Sequence, residues 1–422
     1  MSFDDGFILG LSMASGSSDP DPEPEWQPPT DWITVEDPKP YELYFLVAKE
    51  GSFTFDCQLY RPDLGSTLEN CEEATVYWGD GNVEVYKNFH MLEHSYPNGG
   101  MYLIKIVTDG KPCMFYSCNA PVLIAKIGDE IITNTTGYNS GPFYGCRSYI
   151  KQIKIGGKDG IQENEFNNFK YLVKFDSTIP LNVIPNGAFS YCRSFKNIDL
   201  SHVTSIGKYA FSGCWNLNCD IDGQYITSIE EEAFYFCYNI RKINAPNLTT
   251  IGIKAFNDCT NLKSINAPNL SVINYQAFAE CDNLNFINMP NLISISESAF
   301  ANCKSLKSVE FPMLTEINKR GFFNCGSLRT IITPKVTTIG DYAFDACKAL
   351  EIINMPNVST VGNYAFGSSA VNKVYMPKCI SFGDYCFESC YNLDSPKDLD
   401  VADNCTFGSN CFSDVRIYPP IA

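Results

Sequence analysis

A repeat of about 22 residues occupies most of the chain and limits the folds that it can adopt. The segment KSINAPNLSVINYQAFAECDNL is followed directly by NFINMPNLISISESAFANCKSL, with phenylalanine and cysteine at matching positions. A fixed period in this range is typical of a solenoid, in which each unit packs only against its neighbours. The repeated phenylalanines are 21 to 23 residues apart, at Phe143, Phe166, Phe189, Phe211, Phe234, Phe256, Phe278, Phe300, Phe322, Phe344, Phe366 and Phe387.

Each unit carries enough apolar residues to cover one side of a coil. In the unit that begins at Leu262, we expect an inward row made of Leu262, Ile265, Ala267, Leu270, Ile273, Ala277, Phe278 and Cys281. Pro268 ends the short strand because it has no N–H to donate to a ladder. A single coil cannot bury this row alone, so stacking of coils must build the core.

Ten of the 19 cysteines follow a repeated phenylalanine by three residues. Reduced cysteine behaves as a small apolar residue, so we interpret this ladder as packing. A disulfide needs Cα atoms within about 7 Å and convergent side chains, whereas ladder cysteines point the same way. A metal site would call for C-x-x-C pairs or a histidine cluster, which the ladder lacks. The other nine cysteines, including Cys386, Cys405 and Cys411, are left open.

The consensus AFxxCxxLxxIxxPxLxxI closely resembles the BspA-like leucine-rich repeats, over about 270 residues and about eleven units. These repeats occur in surface proteins of gut and oral bacteria, protists and their viruses. The resemblance implies a β-rich leucine-rich-repeat solenoid, a role in binding or adhesion, and no shared catalytic site.

Before the repeats, residues 40–125 alternate β-branched and aromatic residues with Gly and Asp turns, which predicts a small β-sandwich. The motif VYWGDG followed by HSYPNGGMYLIKI is similar to the signature of PKD-type sandwich domains. That resemblance implies packing roles for Trp78, His94, Tyr96 and Tyr102. The predicted fold is therefore a PKD/Ig-like β-sandwich followed by a leucine-rich-repeat solenoid. The solenoid, including its C-terminal cap, takes up residues 126–422.

Two short segments precede the sandwich. Residues 1–17 form an apolar peptide without a basic start, which we interpret as a retained anchor, with a trimmed signal peptide as the alternative. Residues 18–39 alternate proline with carboxylates and favour an extended spacer, although a disordered tail is the alternative. The candidate attachment residues of the anchor peptide, which would plug into a virion or cell-envelope protein, are Phe7, Ile8, Leu9, Leu11 and Met13.

The outward positions of the repeated strand form two rows, one on each side of its buried central residue. Most are neutral and polar, and aromatic or aliphatic residues interrupt them. Such a face could recognise a host surface protein or a glycan, or its asparagines could form a structural ladder between coils. The candidate ligand-binding residues are Lys242, Asn244, Asn266, Phe286, Asn288, Glu310, Ile332, Ile352, Asn354 and Tyr375.

Composition and motifs argue against several function classes. The formal net charge of -17 disfavours nucleic acid and anionic membranes as partners, and no apolar run reaches the roughly 18 residues of a membrane span. The sequence has three histidines and lacks the nucleophile-elbow, phosphate-loop and zinc-protease motifs. We therefore expect no enzyme activity, cofactor or metal.

These features lead to three hypotheses on function. The first is a receptor-binding protein of a phage virion, as a head or tail fibre or decoration attached through its N-terminus. The second is an adhesin on a bacterial cell surface. The third is a structural spacer whose solenoid binds nothing specific.

Overall fold

The described part of the chain consists of β-strands and turns. It contains 31 strands and no α-helix, so no helix within it has the length and hydropathy to cross a bilayer. The predicted anchor peptide, with its attachment residues, and all of the predicted spacer except Pro38 lie outside this part. The computed structural model describes residues 38, 41–49, 51–61, 69–109, 113–118, 122–127, 131–133, 143, 146–156, 160–393 and 398–415.

The N-terminal region has nine strands: β1 (Glu42–Lys49), β2 (Phe53–Arg61), β3 (Glu69–Tyr77), β4 (Val83–Phe89), β5 (Met91–Tyr96), β6 (Gly100–Thr108), β7 (Cys113–Cys118), β8 (Val122–Ile127) and β9 (Ile131–Thr133). One layer runs β4-β3-β6-β1-β8, and the other runs β5-β2-β7-β9. The layers join where β2 and β3 pair at Tyr60 and Asn70. This β-rich arrangement is that of a sandwich.

The aromatic residues of the WGDG and HSY motifs pack together between these layers. Trp78 is fully buried and stacks on the His94 ring with 4.7 Å between centroids. The Tyr96 hydroxyl donates to the Trp78 carbonyl oxygen at 2.7 Å, and the Tyr96 and Tyr102 rings lie 4.2 Å apart. His94 Nε2 lies 2.8 Å from the Asp80 carboxylate. The packing roles are observed, and the PKD-type assignment of the region stays a prediction.

The sandwich and the solenoid share a sheet. Strand β8 pairs with β1 antiparallel, and on its other side with β10 (Gln152–Ile155) in parallel. Strand β11 (Lys174–Ser177) then pairs with β10, also in parallel. Because β8 spans the predicted boundary at residues 125–126, the first coils extend a sandwich layer without a break in the hydrogen-bond ladder. The sandwich thereby covers the N-terminal end of the solenoid. Without such a cap, the first coil would expose apolar core residues to water.

Later coils contribute short strands to two sides of the solenoid, where they form parallel sheets. The two-residue strands are β12 (Val183–Ile184), β13 (Ser205–Ile206), β15 (Ser228–Ile229), β17 (Thr250–Ile251), β19 (Val272–Ile273), β21 (Ser294–Ile295), β23 (Glu316–Ile317), β25 (Thr338–Ile339), β27 (Thr360–Val361), β29 (Ser381–Phe382) and β31 (Thr406–Phe407). The strands of the other side are β14 (Ile221–Asp222), β16 (Lys242–Asn244), β18 (Ser264–Asn266), β20 (Phe286–Asn288), β22 (Ser308–Glu310), β24 (Thr330–Ile332), β26 (Ile352–Asn354), β28 (Lys373–Met376) and β30 (Leu399–Val401). All pairs within these sheets are parallel, as the stacking of like coils requires.

A turn segment around the repeated phenylalanine forms the remaining side. The N–H groups of Gln276, Phe278 and Glu280 donate to the next coil at 3.2, 2.9 and 2.9 Å. Gln276 and Glu280 have positive φ angles of 52° and 59°, and most coils repeat this alternation two residues before and after the phenylalanine. The left-handed residues turn successive N–H groups along the solenoid axis, so this side also bonds coil to coil.

The buried phenylalanines form one continuous stack inside the solenoid. From Phe166 onward, neighbouring ring centroids are 5.2 to 5.6 Å apart and nearly parallel. Phe412 extends the stack by one ring beyond Phe387. The sequence pattern missed this last unit because the gap before it is 25 residues rather than 22.

The ladder cysteines are buried thiols that also donate hydrogen bonds. Cys281 Sγ lies 3.2 Å from the carbonyl oxygen of Phe256 in the preceding coil, and the same contact recurs from Cys192 to Cys390. Burial raises the pKa of Cys281 well above its ordinary value, so the thiol stays protonated and unreactive. Cys386 and Cys411 are also buried, in the small-residue position before a stacked phenylalanine.

We predict that Phe278→Ala lowers the free energy of unfolding by about 3–5 kcal/mol, because it removes one ring from the stack and leaves a cavity. Phe286→Ala is the matched control, since Phe286 is exposed on a strand, and we expect a change below about 0.5 kcal/mol. Chemical unfolding of the two variants measures both values. Equal losses would contradict the assignment of the core.

Candidate functional site

The ten candidate ligand-binding residues lie on one side of the solenoid. They all belong to strands β16, β18, β20, β22, β24, β26 and β28, and each flanks the central residue of its strand. We call this side the strand face, made of the outward residues of those seven strands. The strand register places them in two rows. Lys242 pairs with Ser264 in the row before the central residue, and Asn244 pairs with Asn266 in the row after it.

Four apolar side chains of the strand face are exposed. The exposed fractions are 55% for Phe286, 47% for Ile332, 58% for Ile352 and 43% for Tyr375. Ile332, Ile352 and Tyr375 come from three consecutive coils and alternate between the two rows. They are therefore diagonal neighbours, roughly 7–8 Å apart in backbone position for such pairs. We name these three residues the apolar cluster.

The asparagines of the same face bond to each other. Asn266 Nδ2 donates to Asn244 Oδ1, and Asn288 Nδ2 donates to Asn266 Oδ1, both at 2.7 Å. Asn244 Nδ2 donates in turn to Asp222 Oδ1 at 2.5 Å. Asn244 and Asn266 thus each use one donor and one acceptor within the ladder, and Asn288 uses one donor, which is how stacked coils bond repeated amides to each other.

A polar cavity of about 580 Å³ opens at the N-terminal end of this side of the solenoid. Residues of two successive coils, Phe175–Leu181 and Asn197–His202, form its lining. This volume lies in the range of small-ligand pockets. Sequence reasoning missed the cavity. Its lining includes Asp176, Ser177, Thr178, Pro180, Leu181, Asn197, Asp199 and His202.

An acidic group lies on the turn side of the solenoid. The pKa of Asp258 is raised to about 6, mainly by burial and to a smaller extent by repulsion from the carboxylates of Glu280 and Asp282. Burial also raises the pKa of Glu280, whose carboxylate accepts a hydrogen bond from Asn302 at 2.5 Å. Among the described residues, no group of three or more His, Cys, Asp or Glu side chains is arranged to hold a metal ion. The raised pKa values of Asp258 and Glu280 predict that this acidic group makes stability depend on pH.

Comparison with known proteins bears on the repeats. The family model described as the BspA type leucine rich repeat region matches residues 111–223, 159–285, 227–338, 271–394 and 315–418. A leucine-rich repeat protein from Bacteroides ovatus is 23% identical, with 71% of this chain and 96% of that chain covered and a TM-score of 0.43. A leucine-rich cell surface protein from Faecalibacterium prausnitzii is 16% identical, with 74% and 94% covered and a TM-score of 0.34. No curated protein matches the chain.

We predict that Asp258→Asn raises the melting temperature at pH 7.5 by about 1–2 °C, because it removes a carboxylate whose charge is disfavoured by burial and by Glu280 and Asp282. The gain is small because the carboxyl is partly exposed and screened by solvent. A carboxyl of an unfolded chain titrates near pH 3.9, about two pH units below that of folded Asp258. The unfolded chain therefore ionises first, and this side chain lowers stability as the pH rises from about 4 to about 6. Calorimetry at pH 4 and pH 7.5 tests this, and an equal gain at both would contradict the cause.

Proposed function

Because the chain belongs to the BspA-type leucine-rich repeat family, we propose that it is a non-enzymatic, surface-displayed binding protein whose strand face contacts the ligand. The apolar cluster is the observation that carries this proposal. Its three side chains are exposed on consecutive coils, and the stacking of the coils uses the central residues of the strands, of which Ile353 and Val374 are buried and Ile331 is partly buried. Exposed apolar groups of this kind mark interaction sites.

The rest of the strand face fits a different role. The ladder of Asn244, Asn266 and Asn288 saturates part of its own hydrogen-bonding capacity, so scaffold stability is enough to explain it. Aliphatic and aromatic side chains gain nothing from exposure to water. Ile352 and Tyr375 are therefore the residues for which we propose direct contact with a host surface protein or a glycan.

We propose further that the N-terminal peptide attaches the protein to its carrier. A phage virion, with the chain as a head or tail fibre or decoration, and a bacterial cell envelope are the two carriers under test. The apolar residues 7–13 supply the attaching surface, and the acidic, proline-rich residues after them supply the spacer. A spacer protein whose solenoid binds nothing is the competing function.

We predict that Ile352→Ser weakens binding of the full chain to a glycan array, or to fixed bacterial and epithelial cells, by about tenfold. Ile293→Ser is the matched control, because Ile293 is exposed to a similar extent but precedes strand β21 on another side. Both variants should keep the melting temperature of the parent chain. If the parent chain binds none of these probes, the spacer function is favoured.

We predict that removal of residues 1–30 leaves a folded protein that no longer joins its carrier. Circular dichroism checks the fold, and co-purification with virions and with cell envelopes reports attachment. Loss from one fraction identifies the carrier. Retention in both fractions would assign attachment to the sandwich or the solenoid instead.

A further inference from the structure

A column of basic residues runs along one margin of the strand face. It occupies the position directly before each strand, and its members are Arg241, Lys263, Lys307 and Arg329. Asn285 takes the same position in the coil between Lys263 and Lys307. All four basic residues are exposed. We call these four residues the basic column.

The backbone holds neighbouring members of the column in register. Lys263 N–H donates to the Arg241 carbonyl oxygen at 2.8 Å, and Arg329 N–H donates to the Lys307 carbonyl oxygen at 2.9 Å. Within the described part of the chain, Lys263, Lys307 and Arg329 form no ion pair, and Arg241 lies 3.8 Å from an oxygen of Asp220. Like charges in neighbouring positions of a sheet destabilise it. The scaffold therefore does not account for the column.

The local charge is opposite to that of the whole chain. In the five coils from Arg241 to Ile332, the strand positions and the position before them carry five basic residues and one acidic residue. The chain as a whole has a formal net charge of -17. Asp222 in the preceding coil and Glu351 in the following one bound the basic region. A positive patch confined in this way selects anionic partners.

We propose that the basic column binds a linear polysaccharide carrying one carboxylate per sugar unit, a polyuronate. Neighbouring coils are about 4.8 Å apart, so the column offers four cations over five coils, a length of about 19 Å, with Asn285 in the middle coil. That spacing is close to the length of one pyranose unit in an extended chain. Each ammonium or guanidinium group can then face one carboxylate in turn.

The neighbouring side chains suit a sugar better than an acidic peptide. Ser264, Ser308 and Thr330 place hydroxyl groups in the adjacent row, and these can donate to and accept from sugar hydroxyls. The exposed ring of Phe286 lies between the coils of Lys263 and Lys307 and can pack on the C–H face of a pyranose. In an extended peptide, side chains on one side recur about every 6.6 Å, which does not match the coil spacing.

This inference rests on the proposed function of the strand face and adds the ligand class. It uses different residues from the apolar cluster. The two proposals can therefore fail separately, because Ile352→Ser tests cell or glycan binding in general and the column variants test the carboxylates.

The experiment compares three polymers as ligands for the full chain: polygalacturonate, its methyl-esterified form and poly-L-glutamate. Biolayer interferometry at low and physiological salt measures the dissociation constants. We expect binding to polygalacturonate that weakens with added salt, and little binding to the neutral ester. Equal or tighter binding of poly-L-glutamate would overturn the polysaccharide and favour an acidic protein partner.

Variants then locate the site. The triple change Lys263→Gln, Lys307→Gln and Arg329→Gln should weaken polygalacturonate binding about tenfold, at an unchanged or raised melting temperature. The control removes three charges away from the strand face by changing Lys208→Gln, Lys319→Gln and Lys348→Gln. We expect the control to bind within about twofold of the parent chain. Equal losses in both triple variants would show a net-charge effect and overturn the column as a site.

A gain-of-binding variant keeps the test open if the triple variant fails to fold. Asn285→Lys completes the column and should tighten polygalacturonate binding about threefold, whereas Asn285→Glu should weaken it by a similar factor. No change with either variant would overturn the proposal.

Loss of cell binding in Ile352→Ser, together with unchanged polygalacturonate affinity, would support both proposals at separate subsites. Cell binding without polygalacturonate affinity would leave the proposed function and remove the inference.

Discussion

Hydrogen bonding between successive coils is the constraint on which the rest of the structure depends. Strands meet it directly, because their N–H and C=O groups point sideways to the neighbouring coil. The turn side meets it only with left-handed residues such as Gln276 and Glu280, which cost of order 1 kcal/mol or more each when they are not glycine. The bonds that they allow, at 2.9 to 3.2 Å, recur from coil to coil and offset that cost.

The same constraint explains the choice of buried residues. Stacked coils must bring identical positions to the spacing of a sheet, and flat rings tolerate this spacing when they lie parallel, as Phe278 and Phe300 do at 5.6 Å. A cysteine three residues later fills a small space and donates its thiol proton to a carbonyl of the preceding coil. A larger apolar residue would overfill that space, and an alanine would leave the carbonyl without its weak donor.

Sequence periodicity predicted the repeated core, because burial at fixed intervals appears directly as a pattern of Phe, Cys, Leu and Ile. It could not predict the shared sheet between β8 and β10, since strand pairing across a domain boundary depends on geometry that no local pattern encodes. The left-handed positions were equally hidden, because Tyr, Lys, Gln and Arg occupy them in place of glycine. The spacing also predicts which residues of the repeated strand face outward, but not the hydrogen bonds among them.

The asparagine ladder and the basic column differ in the hydrogen-bonding groups of their side chains. We use this difference to separate a structural row from a proposed binding site. An asparagine amide carries both a donor and an acceptor, so the members of a row such as Asn244, Asn266 and Asn288 bond to each other and stabilise the stack. A lysine or arginine carries donors alone, so a row of them repels itself and cannot close its own hydrogen bonds. A repeated amide therefore bonds to its own row within the fold, whereas a repeated cation finds no acceptor in its row, and we propose that a carboxylate polymer supplies acceptors from outside the chain.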